Sequence, residues 1–378
     1  MKQVFIGRGH RIWQYFNGWV KRYRASRNKS SLLLTIFLLT IFVQLPLGIS
    51  TTLAQTTFKN LVTGEAIDSK LDPQAKAVLD KAAKAGPLPS DITQKRAAFN
   101  NLFKQLSGPP EPLLKVENMK ISEPSREIPL RVYRPKEGTL PVLVYTHGGG
   151  FNKGDLNSHD PALRALSNRC GCVIVAADYR RTPEHQFPAQ IDDAYTALRW
   201  VSDHAAMLGV DGQKIAVGGD SVGGNLAAVN AMRARDEGGP KLVFQLLLYP
   251  VTDLTLSSES WKALAQGPWL TRAGEYEGFH KLYLPKGTDP KAPYVSPLFA
   301  RDLKGLPPAL VVDAEFDPYR DEGQSYAARL KKAGIPVTAT VYPGMIHDFF
   351  LMAGEIDASK KLIEQAASSL RTAFNIGG

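Results

Sequence analysis

Cysteine is almost missing from this 378-residue chain: Cys170 and Cys172 are its only two, one glycine apart. A scaffold of several disulfides is thereby excluded, and two thiolates cannot complete a structural zinc site. The run Cys172-Val173-Ile174-Val175-Ala176-Ala177 reads as the start of a buried strand. Residues i and i+2 of a strand share a face without turning toward each other, so a bridge between these two would need a strained turn. Both are expected to be small packing residues rather than a redox pair. Histidine is scarce too, seven in all, which shortens any search for a general base. Internal repeats and low-complexity tracts are absent, which removes solenoids and arrays from consideration.

Negative charge is missing from one region. The formal net charge is +10, but positions 1–30 hold Lys2, Arg8, Arg11, Lys21, Arg22, Arg24, Arg27 and Lys29 and no acidic residue. Ten less these eight leaves +2 for the rest, so the body is near neutral and no nucleic-acid partner is expected. The basic stretch runs into the apolar segment from Leu32 to Val43, too short to span a bilayer comfortably and soon broken by Gln44 and Pro46. A positive n-region, an apolar h-region and the small residues Thr52 and Ala54 together make a signal peptide over residues 1–54, with cleavage after Ala54. The expected location is periplasmic or secreted. If cleavage fails, the segment extended to Ile49 becomes an N-terminal anchor, the one expected contact with a membrane.

Past the leader, two stretches with helical spacing precede any strand. One opens at Asp72-Pro73 and closes at Gly86-Pro87; the other runs from Asp91, with Phe99, Leu102, Phe103 and Leu106 on one side, to Gly108. They have no sheet of their own to cover, so they must pack against something later. From about residue 111 the pattern alternates. β-rich runs at 128–133, 142–146, 172–177, 214–218, 244–249, 309–312 and 337–342 are separated by helical stretches near 160–169, 188–206, 222–234, 321–333 and 358–374. Several strands are apolar on both faces, as in a parallel sheet covered by helices on each side. One insertion, residues 254–292, breaks the rhythm with Trp261, Trp269, Tyr276, Phe279 and Tyr283. It follows a strand end, where substrate-covering elements sit on open α/β sheets.

The chemistry is concentrated in four places. In Gly219-Asp220-Ser221-Val222-Gly223, a strand-like run ends and a helix begins, so Ser221 sits on a sharp turn flanked by glycines that give the close approach such a turn needs. A serine hydroxyl is a weak nucleophile until a base and an orienting group support it. Of the histidines, His10 lies in the leader and His147 in a glycine motif. His159, His185 and His204 lie in or near predicted helices, and His280 in the aromatic insertion. His347 alone follows the last strand. For the acid, Asp313, Glu315, Asp317 and Asp321 are all near enough. Asp317 is preferred because Pro318 fixes a loop beyond the strand end, whereas Asp321 is expected to cap the next helix. The order Ser, Asp, His goes with the α/β-hydrolase sheet and excludes the two other known orders. Finally, His147-Gly148-Gly149-Gly150 follows a strand and offers bare glycine amides to an oxyanion.

These residues resemble the hormone-sensitive-lipase-like family of α/β-hydrolase esterases over roughly residues 110–350. The resemblance rests on Tyr145-Thr146-His147-Gly148-Gly149-Gly150-Phe151, Asp178-Tyr179-Arg180 with Pro183-Glu184 and Phe187-Pro188-Ala189, Gly219 to Gly224, Asp317 to Glu322, and His347. It implies an α/β-hydrolase fold with a helical cap made from the N-terminal helices (55–110) and the insertion. It implies Ser221 as nucleophile, His347 as base, Asp317 as its orienter, and the N–H groups of Gly149, Gly150 and Val222 as oxyanion donors. His147, Gly148, Asp220 and Glu184 support the motifs. Val222 departs from the usual alanine and is expected to narrow the acyl site.

The expected activity is hydrolysis of small to medium acyl esters, a small-molecule substrate, with no cofactor and no metal, by a monomer or homodimer. A non-catalytic binder on the same scaffold and an amidase or peptidase are the alternatives; the presence of His347 argues against the binder.

Overall fold

Leu140–Thr146 carries no charged residue and is buried along its whole length, which places it at the centre of the sheet. The computed structural model describes residues 58–376. The expected leader, its cleavage point and the anchor alternative lie outside the described residues. Among these residues, no helix is long and apolar enough to cross a membrane.

The strands are β1 (Lys115–Glu123), β2 (Arg126–Arg134), β3 (Leu140–Thr146), β4 (Val173–Ala177), β5 (Val210–Asp220), β6 (Leu242–Leu248), β7 (Ala309–Ala314) and β8 (Val337–Tyr342). They form one sheet in the order β1-β2-β4-β3-β5-β6-β7-β8. The β1–β2 and β2–β4 pairs are antiparallel and the others parallel. β1 has no counterpart among the predicted strands. It is an edge strand with Ile121 as its one buried residue, so neither alternation nor an apolar run marks it.

Helices cover both faces. Along β3, Val142 and Val144 point into one core with helices α4 (Ala189–Asp203), α5 (Val222–Asp236) and α6 (Arg320–Lys332). Leu143 and Tyr145 point into the other, shared with α1 (Pro73–Ala85), α2 (Ile92–Leu106), α3 (Asp160–Cys170) and α7 (Asp357–Phe374). On α7, Leu362, Ile363, Ala366, Leu370 and Phe374 recur at helical spacing and are buried. Truncating Leu370 to alanine there costs about 2–5 kcal/mol.

The two early helices start as the sequence suggests. Asp72 and Asp91 accept from the amides of Gln74 (2.8 Å) and Gln94 (2.9 Å), and Pro73 occupies the first turn. Their partner is the end of the chain and the insertion: Phe103 meets the edge of Trp269 at 6.3 Å, and the Ser107 hydroxyl donates to the Leu351 carbonyl.

Cys170 and Cys172 are joined by a disulfide, against the expectation of two packing residues. Cys170 is not on the strand. It closes α3, and Gly171 follows in the left-handed region (φ 64°), so the chain reverses and brings the two Cα atoms to 5.3 Å. A second correction concerns Asp321. It lies inside the first turn of α6 and does not cap it; its carboxylate accepts from the Ser260 amide of the short helix Glu259–Ala263.

Candidate active site

Ser221 stands between β5 and α5 with φ 55° and ψ −123°, a conformation that only tight local packing can hold in place of a relaxed one. Its amide donates to the Leu248 carbonyl, and its carbonyl accepts from Val251 and Asn225. A Cβ at Gly219 would run into Gly223 and the Thr146 carbonyl, and one at Gly223 into Thr146 and His147. The flanking glycines are thus a consequence of β3 lying directly against the turn.

Ser221 Oγ is 2.8 Å from His347 Nε2, and His347 Nδ1 is 2.6 Å from Asp317 Oδ2. Asp317 is held in turn by the Tyr319 amide at 2.9 Å. All three side chains are buried. The structure therefore brings Ser221, His347 and Asp317 together and leaves the other candidate acids outside. Asp313 is fully buried and accepts from Gln324, and its carboxyl is pushed well above the usual range by burial. Glu315 accepts from the Gly344 amide.

Burial of the His347 ring works against protonation, but the charges of Asp317 and Asp348 outweigh it and raise its pKa to about 9. Asp348 holds a left-handed backbone (φ 65°). One of its oxygens lies 3.5 Å from His347 Nε2 and the other accepts from Trp269 Nε1 at 3.0 Å. Its own pKa is raised, chiefly by burial.

Gly149 (φ 113°) and Gly150 (φ 64°) turn the chain back after β3, and their N–H groups meet no acceptor among the described residues. Val222 occupies the first position of α5, where an amide has no partner within its helix. These are the three expected oxyanion donors. The Val222 side chain points into the core beneath and is not part of the cavity wall, so the expected narrowing of the acyl site does not occur.

His147 is not near the proton path. Its ring stacks on Tyr179 at 4.3 Å, and its Nδ1 donates to the Gly148 carbonyl. Asp220 is fully buried and accepts from Tyr145 Oη (2.8 Å) and the Gly148 amide (3.0 Å), with His159 Nε2 at 3.2 Å. Burial resists charge on both Asp220 and His159, yet their mutual attraction lowers the acid's pKa and raises the histidine's. Glu184 makes a two-pronged pair with Arg96 of α2, away from the reacting groups.

Ser221, His347, Gly149 and Gly150 face a cavity of about 590 Å³. Its walls come from α1 (Leu79, Ala82), α2 (Phe99, Leu102, Phe103) and the insertion (Trp269, Leu270). Of the two conspicuous tryptophans, Trp269 lines the cavity, while Trp261 is buried edge-on to Tyr319 at 4.9 Å.

Sequence reasoning missed His159, Lys153 and Asp348 at this site. Asp348 had a signal, being adjacent to His347. His159 had none, because its partner lies 61 residues away.

Residues 143–351 match the family described by the α/β-hydrolase fold. A carboxylesterase of Mycobacterium tuberculosis, NlhH, is 40% identical over 314 residues, covering 81% of this chain and 97% of its own. An ethyl acetate hydrolase of Pseudomonas putida is 37% identical over 251 residues, 65% of this chain and 78% of its own. Among solved structures, a hyperthermophilic esterase from Pyrobaculum calidifontis superimposes with a TM-score of 0.76 at 40% identity, over 82% of this chain and 100% of that one. With the sheet order, the turn at Ser221 and the glycine loop, these likenesses place the chain in the hormone-sensitive-lipase-like family of α/β-hydrolases.

Proposed function

We propose that the protein is a carboxylic-ester hydrolase that cleaves small to medium acyl esters through an acyl-serine intermediate. The observation that carries this is the unbroken path from Ser221 Oγ through His347 to Asp317 at the wall of a cavity of about 590 Å³, a size suited to a small molecule. The relatives named carboxylesterase and ethyl acetate hydrolase support the reaction class.

Ser221 Oγ attacks the ester carbonyl carbon while its proton passes to His347 Nε2. The carbonyl oxygen becomes an oxyanion and accepts from Gly149, Gly150 and Val222, each such donor contributing about 2.7–4 kcal/mol to the transition state. As the tetrahedral species collapses, His347 returns the proton to the departing alcohol oxygen and leaves Ser221 acylated. Water then repeats the sequence, its proton going to His347 and back to Ser221. Asp317 keeps Nε2 aimed at the serine and offsets the charge of the imidazolium.

The helices α1 and α2 and residues 254–292 serve as a two-piece cap over the acyl-binding space. Hydrolysis of a p-nitrophenyl acyl series, C2 to C12, tests the reading: activity should fall beyond medium chains and drop by about 10⁴ or more in Ser221→Ala. Equal inactivity of both proteins toward every ester, with tight binding of a small ligand, would sink it in favour of a binding protein. A matched p-nitroanilide series separates ester from amide cleavage.

We also propose export with cleavage after Ala54, supported by the basic and apolar segments of the leader and by the disulfide, a bond suited to an oxidising compartment. N-terminal sequencing of protein from the periplasm or medium should begin at Gln55. An intact Met1 in the membrane fraction would favour the anchor.

A further inference from the structure

The loop that follows β3 carries a cation into the cavity. Lys153 lines it, three positions beyond Gly150, and is fixed there by the same turn that presents the glycine amides: its own amide donates to the Gly149 carbonyl at 2.8 Å. Its ammonium lies 3.4 Å from the place a Cβ on Gly150 would occupy. One side of the group rests over the Phe99 ring, 5.8 Å from its centroid. Its one hydrogen-bond acceptor among the described residues is Asn152 Oδ1 at 3.1 Å. An ammonium has three N–H donors, so two are left for whatever fills the cavity.

No carboxylate among the described residues comes within ion-pair distance of Lys153. The two that share the cavity wall are engaged elsewhere: Asp348 with Trp269 and His347, Glu275 with the Tyr319 hydroxyl at 2.5 Å. Burial disfavours the charged ammonium, and Glu275 and Asp348 offset only part of that effect, so the lysine pKa is lowered. A half-buried cation without a counter-ion is costly in a protein interior, and a ligand anion would remove that cost.

Building on the esterase reading, we propose that Lys153 is a specificity-determining residue that binds a carboxylate on the substrate, making short monoesters of dicarboxylic acids the preferred class. The oxygen atoms of that carboxylate take the two free N–H donors, and the ester carbonyl falls beside them at Gly149 and Gly150. A terminal methyl in the same position leaves the ammonium unmatched, which is the basis of the discrimination.

The test compares monoethyl glutarate with ethyl pentanoate, which differ by a carboxylate in place of the terminal methyl, using proton release to obtain kcat/KM for each. The wild type should favour the monoester, Lys153→Met should lower the ratio of the two kcat/KM values at least tenfold, and Lys153→Arg should restore most of it. A ratio in Lys153→Met within twofold of wild type would overturn the proposal. Calorimetric binding of monoethyl glutarate to Ser221→Ala, with and without Lys153→Met, separates the two readings. If the wild type cleaves no ester while binding to Ser221→Ala is lost with the lysine, the esterase reading falls and the carboxylate site stands. Binding unaffected by the lysine removes the site whatever the protein hydrolyses.

Discussion

The carboxylate of Asp220 accepts a hydrogen bond from the amide of Gly148, 3.0 Å away, and so ties the turn that carries Ser221 to the loop that carries Gly149 and Gly150. The approach is close enough that a Cβ on Gly148 would strike the Asp220 side chain. Asp220→Ala should lower kcat by about 10–100-fold with a much smaller change in KM, because a misplaced oxyanion donor weakens the transition state and not the ground state. It should also cost about 1–3 kcal/mol of stability, because the buried Tyr145 hydroxyl and Gly148 amide lose their acceptor. Asp220→Asn keeps the acceptor facing Gly148 and Tyr145 and should lose less kcat. Steady-state kinetics and urea denaturation on the two variants check this; equal losses of kcat would sink it.

His347 must be neutral to accept the serine proton, and its pKa is raised to about 9 by Asp317 and Asp348 against the effect of burial. kcat/KM should therefore climb close to tenfold per pH unit below about 9 and level off above it. Stability runs the other way. A folded-state value above the unfolded one means that the contribution of this histidine is fully present below about pH 6.5 and is lost as pH rises through about 9. Asp348→Asn removes a nearby negative charge and should move the acid limb of the rate profile to lower pH. A limb that does not move would mean Asp348 is uncharged where His347 titrates.

Asp317→Asn should reduce kcat by about 10⁴, since an amide no longer favours the required tautomer. Asp313→Asn should leave kcat/KM within a few-fold of wild type, because Asp313 meets Gln324 and not His347. Its signature is thermodynamic. With a folded-state pKa above the unfolded one, Asp313 costs stability as pH rises through the usual carboxylate range, and the asparagine variant should flatten that part of the pH–stability curve. Comparable kinetic losses in the two variants would undo the choice of Asp317.

Free-thiol titration of denatured, unreduced protein should find no reactive cysteine. Because the bridge closes a loop of three residues, reduction should lower stability by about 1–2 kcal/mol and not unfold the chain. A full equivalent of two thiols in exported protein would contradict the bond.

The sheet was largely legible because β4, β3 as far as Tyr145 and β7 as far as Val312 are apolar runs between turn signals, which only a strand covered on both sides tolerates. β1 was not, since an edge strand exposed over most of its length carries no burial pattern. At the site, Ser221 and His347 followed from position along the chain, as each stands at the carboxyl end of a strand. The Asp220–His159 pair and the placement of Lys153 did not, because both depend on how the loop after β3 folds over the sheet. The disulfide was misread for a related reason: the extent of α3 decides whether Cys170 lies on a helix or a strand, and element ends are what sequence patterns locate least well.

Arg96 of α2 donates to the carbonyls of Asn152 and Thr182, both at 2.9 Å, besides gripping Glu184. Asn152 is two residues past Gly150. One side chain therefore ties the helix that walls the cavity to the loop that presents Gly149 and Gly150. The wall of the substrate space and the floor on which the ester carbonyl would rest thus share a fastening, and a change at Arg96 reaches both at once.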